Sequence, residues 1–206
     1  MICPVPIIGI VGGVGSGKST LACWIAEHHP VVVIDADAIG HELLRDPDVR
    51  EQLRAIFGDA IFNIAGAVHR PELARRVFGD APEQRAARQQ LDRLLHPLIR
   101  EEIVRRAAAV DPNTVRAVLL DAALLLEANW REVCRAVVFI DTPEERRAAW
   151  VEAHRGWTID ELHRREASQW PLEKKRRACE IVVPNTGDVA EAGTTLWEAI
   201  QTILQP

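Results

Sequence analysis

The densest chemistry in this chain lies near its beginning. Gly12-Gly13-Val14-Gly15-Ser16-Gly17-Lys18-Ser19 satisfies the spacing G-x-x-x-x-G-K-[ST] in full. Glycines at this density let the backbone bend into a concave nest whose N–H groups converge on an anion. A β-branched apolar run, Ile7 to Val11, precedes the loop, and a helical pattern, Lys18 to His28, follows it. That order brings the positive end of a helix to the same point. Gly13, Val14, Gly15, Ser16 and Gly17 are therefore the expected cradle for phosphates. Lys18 is the point charge that reaches the β- and γ-phosphates, and the Ser19 hydroxyl is a ligand for Mg²⁺. Thr20, in the first helical turn, is placed to meet the α-phosphate. Such a loop implies a nucleoside triphosphate but does not by itself choose a reaction.

Carboxylates supply the next clue. Asp35 and Asp37 follow a second apolar run, Val31 to Ile34. Strand ends in open α/β sheets face the ligand crevice. On an extended segment, two residues apart, both carboxylates point to one side. One could accept a proton from an attacking hydroxyl, and the other could hold a Mg²⁺-bound water. The competing expectation is that one of them caps a helix starting near Ala38. Asp121, after the run Val115 to Leu120, suits a Mg²⁺ role or a helix cap equally. Asp37-Ala38-Ile39-Gly40 also fits D-x-x-G, but it follows the loop too closely, and no N-K-x-D occurs anywhere in the chain.

These residues need a scaffold. Five apolar runs read as buried strands: Ile7–Val11, Val31–Ile34, Val115–Leu120, Ala136–Ile140 and Ile181–Val183. Alternation with helical patterns implies an α/β protein with a parallel sheet covered on both faces. Between the second and third runs lies a long helical block. Val49, Leu53, Ile56 and Phe57 form one stripe, and Leu91, Leu94, Leu95, Leu98 and Ile99 form another, in which Pro97 predicts a kink or break. This block is too long for a crossover and reads as an inserted lobe. The segment 154–177 is rich in charge and net positive, which suits a mobile lid carrying arginine onto a triphosphate. The plainer reading is a solvated helical face. Thr158 to Glu161 predicts a capping box at the start of a helix there.

Composition bounds the class. The chain has 206 residues, 48% of them hydrophobic, with 25 Lys plus Arg against 30 Asp plus Glu and a formal charge of −5. That excludes a disordered or collagen-like chain. The mild acidity argues against a general nucleic-acid binder. No apolar run approaches the roughly 20 residues that span a bilayer. Four scattered cysteines form no C-x-x-C pair, and no signal peptide is seen, so a cytoplasmic protein without membrane or nucleic-acid partners, acting as a monomer, is expected.

Taken together, the motifs resemble the dephospho-CoA kinases over essentially the whole chain. The resemblance rests on Ile7 to Thr20, on Val33-Ile34-Asp35-Ala36-Asp37, on Arg70 with Leu73 and Phe78, and on Leu95-His96-Pro97-Leu98-Ile99. It continues through Leu124-Leu125-Leu126-Glu127, Asp141-Thr142-Pro143-Glu144, Gln169 with Lys174, and Asn185-Thr186-Gly187. It implies a P-loop NTPase fold, three-layer αβα, with a five-stranded parallel sheet, a helical acceptor lobe and a lid. The core would take about 1–40, 111–145 and 179–206, the lobe about 41–110 and the lid about 146–178. The implied reaction is ATP- and Mg²⁺-dependent phosphorylation of the ribose 3′-hydroxyl of dephospho-CoA. Carried over, Asp37 is the base, Lys18 and Arg155 are catalytic, and Asn185 to Gly187 line the adenine. Arg70, His96 and Glu127 join Asp37 in binding the acceptor. Three features depart from the family: Trp150 stands where a second lid arginine is usual, Ala123-Leu124-Leu125-Leu126-Glu127 where Pro-Leu-Leu-aromatic-Glu is usual, and Cys179-Glu180 where Ala-Asp is usual. The rival expectations are a shikimate- or nucleoside-kinase-like enzyme, or a nucleotide-dependent switch.

Overall fold

The computed structural model describes residues 3–79 and 81–205. Among these, five strands form one parallel sheet: β1 (Ile7–Gly12), β2 (Val31–Asp35), β3 (Ala117–Asp121), β4 (Ala136–Asp141) and β5 (Ile181–Pro184). Their order across the sheet is β2-β3-β1-β4-β5. β1, β3 and β4 are buried along nearly their whole length, as strands covered on both faces must be. β2 and β5 differ. Val32, Val33, Ile181 and Val182 are only half-buried, because both strands lie at an edge of the sheet.

One face of the sheet presents Ile8, Ile10, Leu119, Val138, Ile140 and Val183. Against it pack Leu21, Ala22 and Ile25 of α1 (Lys18–His28) and Leu196 and Ile200 of the closing helix, α9 (Val189–Leu204). Each such side chain, fully removed from water, is worth ~1.5–3 kcal/mol. The alternate residues of the same strands, among them Ile7, Val11, Leu120 and Phe139, point to the opposite face and are buried as well.

The strand order creates the crevice. From β1 the chain crosses towards β2, whereas from β3 it crosses the other way, to β4. Neighbouring strands whose connections leave in opposite directions open a gap at their carboxyl ends, where ligands of such sheets bind. The glycine loop leaves the end of β1, and Asp121 is the last residue of β3.

The chain falls into two compact units, Met1–Asp35 with Val104–Pro206, and Ala36–Ile103. The boundary lies earlier at both ends than the 41–110 expected for the lobe. The expected lid is three helices of the first unit: α6 (Glu144–Arg155), α7 (Ile159–Glu166) and α8 (Leu172–Arg177). Thr158 caps α7, its Oγ1 accepting from Glu161 N at 3.3 Å.

The second unit is helical: α2 (Ala36–Leu43), α3 (Pro47–Phe57), α4 (Arg70–Val77) and most of α5 (Pro82–Ala108). Asp46 caps α3 by accepting from the N–H groups of Asp48 and Val49. Val49, Leu53 and Phe57 are buried as their spacing predicts, while Ile56 is exposed. Of the kink or break expected at Pro97, the break does not occur, and α5 runs through it for 27 residues. Leu95, Ile99 and Ile103 anchor one face of α5, and Pro97 lies on the exposed side, where water can meet the carbonyl left without an amide partner.

Candidate active site

The phosphate loop owes its shape to two glycines in the left-handed region, Gly15 at φ 73° and Gly17 at φ 79°. Gly17 also caps α1, so the helix axis starts inside the loop. Lys18 Nζ turns back to donate to Gly13 O at 3.4 Å, which lays its charge along the cradle. A Cβ on Gly15 would come within 2.8 Å of Val151 Cγ1 and 3.1 Å of the Arg147 carbonyl oxygen. Strain and contact therefore add, and Gly15→Ala should weaken ATP binding about tenfold, read by calorimetric titration.

The loop is fastened from below. The Ser16 carbonyl accepts from Thr142 Oγ1 at 2.8 Å and from Asn185 Nδ2 at 2.9 Å. Asn185 is in turn held by its own N–H, which donates to Asp141 O at 2.8 Å. A doubly engaged carbonyl leaves this peptide no freedom to flip, so its neighbours' N–H groups keep facing the cradle. Two buried polar atoms here have no partner among the described residues, Ser16 Oγ and Asn185 Oδ1.

Fastening from the side comes from Arg147, which is 3% exposed. Its Nε donates to Thr142 O at 3.1 Å, and its Nη1 pairs with Glu166 Oε1. The same carboxylate oxygen accepts from the loop's Val14 N at 3.1 Å. Sequence reasoning gave Thr142 no role and placed neither Arg147 nor Glu166 at the site. The available signal was the spacing of Arg147 to buried Val151, one helical turn along α6, whereas Arg146 faces out. Arg146 instead donates to Thr186 O at 2.8 Å and to Gly187 O, holding the turn after β5.

At the end of β3, Asp121 is 7% exposed and in register with both Ile10 and Asp35. Burial holds its carboxyl above the ordinary range, while a hydrogen bond with Ser19 and the Lys18 charge pull the other way. Asp35 adds a repulsion that raises it further. The Ser19 hydroxyl and Asp121 together form a hard oxygen donor set of the kind Mg²⁺ takes in company with phosphates. Among the described residues, no group of three or more His, Cys, Asp or Glu could hold a metal alone.

Of the two expectations for Asp37, the extended strand does not hold, and a helix begins close to the expected Ala38. β2 ends at Asp35, and Asp37 sits in the first turn of α2, whose buried face is Ala36 and Ile39. The two carboxylates therefore do not share one extended segment. In the same unit, the Arg70 guanidinium donates to His41 Nε2 at 2.8 Å. His96 Nε2 lies 3.5 Å from Asp92 Oδ1. Burial pushes the His96 imidazole below its ordinary value and the Asp92 carboxyl above. Pro97 and Leu98, with Ile56 and Arg93, line a cavity of about 470 Å³ between α3 and α5.

Two further expected residues lie in the first unit. Arg155 ends α6 with its guanidinium 4.6 Å from the Trp157 ring centre and 5.3 Å from that of Trp150. The tryptophan at the departing position thus stacks on His154 and lies within cation–π reach of Arg155. Glu127 Oε1 accepts from Trp170 N at 2.7 Å and pairs with Lys175 Nζ at 3.1 Å. Lys175 is fully buried and also donates to Gln169 Oε1 and Ala123 O, whereas Lys174 lies over the Trp170 ring. The internal partner of Gln169 is Lys175, one residue beyond the lysine singled out from the sequence. Lys175→Met would leave the Glu127 carboxylate without its counter-charge. It should cost about 2 kcal/mol in urea unfolding, below the roughly 3–5 of a fully enclosed pair because Glu127 keeps some solvent contact.

A glycine cradle after the central strand, set at the point where crossovers diverge, is the build of the P-loop NTPase fold. The solved structures agree. TT1252 from Thermus thermophilus superposes with a TM-score of 0.80 at 30% identity, over 98% of this chain and 99% of that one. A shikimate kinase from Acinetobacter baumannii shares the fold alone, with a TM-score of 0.55 at 17% identity over 96% and 94%. A family model for dephospho-CoA kinase matches residues 6–191, and the chain belongs to that family. A dephospho-CoA kinase from Rhodopirellula baltica is 34% identical over 200 residues, covering 97% of this chain and 92% of the relative.

Proposed function

We propose that the protein transfers the γ-phosphoryl group of ATP to the ribose 3′-hydroxyl of dephospho-CoA, giving coenzyme A. The observation that carries this reading is the fastened phosphate loop in a chain of the dephospho-CoA kinase family. The residues from Gly13 to Thr20 hold the triphosphate, with backbone N–H groups and the Lys18 ammonium meeting its negative charge. Asp37 accepts the 3′-hydroxyl proton as the ribose oxygen attacks the γ-phosphorus and the bond to the β–γ bridging oxygen breaks. Arg155, with its guanidinium near the Trp150 and Trp157 rings, supplies positive charge from the lid. Asn185 to Gly187, fixed by Ser16 and Arg146, form the wall beside the adenine.

Ser19 and Asp121, with Asp35 nearby, are the residues that would hold Mg²⁺. Bound there, Mg²⁺ would neutralise charge on the β- and γ-phosphate oxygens. Arg70 and His96 take the acceptor in the helical unit, and Glu127 serves it indirectly by holding Trp170 and Lys175. The 146–178 helices close over the nucleotide and exclude water, which would otherwise hydrolyse it. A cytoplasmic monomer is the setting expected from the sequence, and four free cysteines fit a reducing compartment. Among the described residues, no helix is long and apolar enough to cross a membrane.

Incubation with ATP, Mg²⁺ and dephospho-CoA, followed by mass spectrometry, tests the reading. One added phosphate on the ribose of the acceptor is expected. Phosphate appearing only on shikimate or on a nucleoside offered in parallel would reject it.

A further inference from the structure

Of the ion pairs in this segment, Arg147–Glu166 is enclosed as Lys175–Glu127 is, but it lies against the phosphate loop. Arg164–Glu161 and Arg177–Glu173 are exposed pairs along single helices, of a kind worth little. Arg147 and Glu166 come from different helices, and their side chains are 3% and 16% exposed. Both press on the loop: a Cβ on Gly13 would lie 2.9 Å from Arg147 Nη1 and 2.9 Å from Glu166 Oε1. Glu166 Oε1 takes the Val14 N–H, and Arg147 Nη1 approaches the Val14 carbonyl oxygen at 3.5 Å. Of the other acids around Arg147 among the described residues, Glu144 stands off at 3.9 Å and is half exposed, Asp141 pairs with Arg176 at 3.0 Å, and Glu173 pairs with Arg177. A carboxylate has thus been placed on an N–H of a loop built to bind anions. Unbalanced, it would repel the triphosphate that the loop must hold.

We infer that Arg147 is a positioning residue that neutralises Glu166, so that the carboxylate can fasten Val14 without weakening nucleotide binding. The inference rests on the loop binding ATP, as proposed above. It makes the fastening and the charge balance separate functions of one pair. Glu166 supplies geometry, and Arg147 cancels the electrostatic penalty of that geometry. The charge sign of each variant then predicts the direction of its effect, which a purely mechanical clamp does not.

The test is calorimetric titration of adenosine, ADP and ATP into wild type, Arg147→Met, Glu166→Gln, the double variant and Arg147→Lys. Arg147→Met should weaken ATP about tenfold, ADP by less and adenosine hardly at all, and added salt should shrink the loss. Glu166→Gln should tighten ATP binding by a smaller factor. The double variant should recover most of the loss, and Arg147→Lys should keep most of the affinity. If Arg147→Met does not fold, the lysine variant and Glu166→Gln still carry the sign of the effect. Equal losses for Arg147→Met and Glu166→Gln, or losses independent of phosphate number, would overturn the inference alone. Wild type binding ATP no better than adenosine would overturn the loop reading and the inference with it.

Discussion

Asp37→Asn is expected to lower turnover by ~10²–10⁴-fold, the usual contribution of a positioned general base, while ATP affinity stays within about twofold. The substitution keeps the size of the side chain. It also keeps a residue that helix N-termini tolerate well, and α2 begins only one residue earlier, so the fold should be unaffected. What it removes is the capacity to take up a proton. The loop that binds the phosphates is fastened by Thr142, Asn185, Arg147 and Glu166, none of them on α2, so nucleotide binding has no reason to follow activity. Separate measurement of kcat and of the ATP dissociation constant checks both halves. Turnover like wild type would remove Asp37 as the base.

Asp121→Asn should move stability and activity in opposite directions. The Asp121 carboxyl sits nearly enclosed at the end of β3, and burial raises it above its ordinary value despite Ser19 and Lys18. A carboxyl raised by folding stabilises the fold only while protonated. That contribution is present below the unfolded value and lost as pH rises through the folded one. At neutral pH the ionised group is therefore a burden, and the neutral amide should raise the melting temperature by roughly 2–4 °C for each kcal/mol relieved. The difference between the two proteins should shrink on acidification. Turnover with Mg²⁺ should fall about a hundredfold, because the oxygen pair made with Ser19 loses its charge. Thermal melts along a descending pH series from pH 7, set beside kcat, test the sign. A variant less stable than wild type at neutral pH would show Asp121 to be a structural partner of Ser19 and Lys18. Functional sites often retain such locally unfavourable groups.

The architecture was legible because strands buried on both faces are continuous apolar runs, a signal that survives without any contact information. All five were visible in this way, and the glycine spacing located the cradle between the first run and its helix. Only the assembled sheet showed that the second and fifth runs are edges, with Val32, Val33, Ile181 and Val182 half-exposed. Local rules failed where tertiary packing outweighed them. Pro97 did not break α5, since Leu95, Ile99 and Ile103 anchor the opposite side. Asp37 entered a helix rather than extending β2, since Ala36 and Ile39 draw the chain into a buried turn.

Residue types in a motif determined that a triphosphate is bound and which groups could meet it, because the chemistry of a glycine nest, a lysine and a hydroxyl is local. Which of two adjacent arginines or lysines turns inward is not local. Arg147 rather than Arg146, and Lys175 rather than Lys174, find their carboxylates on segments 19 and 48 residues away in the chain. Charge carries no periodicity of its own, so a buried ion pair looks like a solvated one until the helices are packed. The tertiary structure alone decided what holds the phosphate loop still.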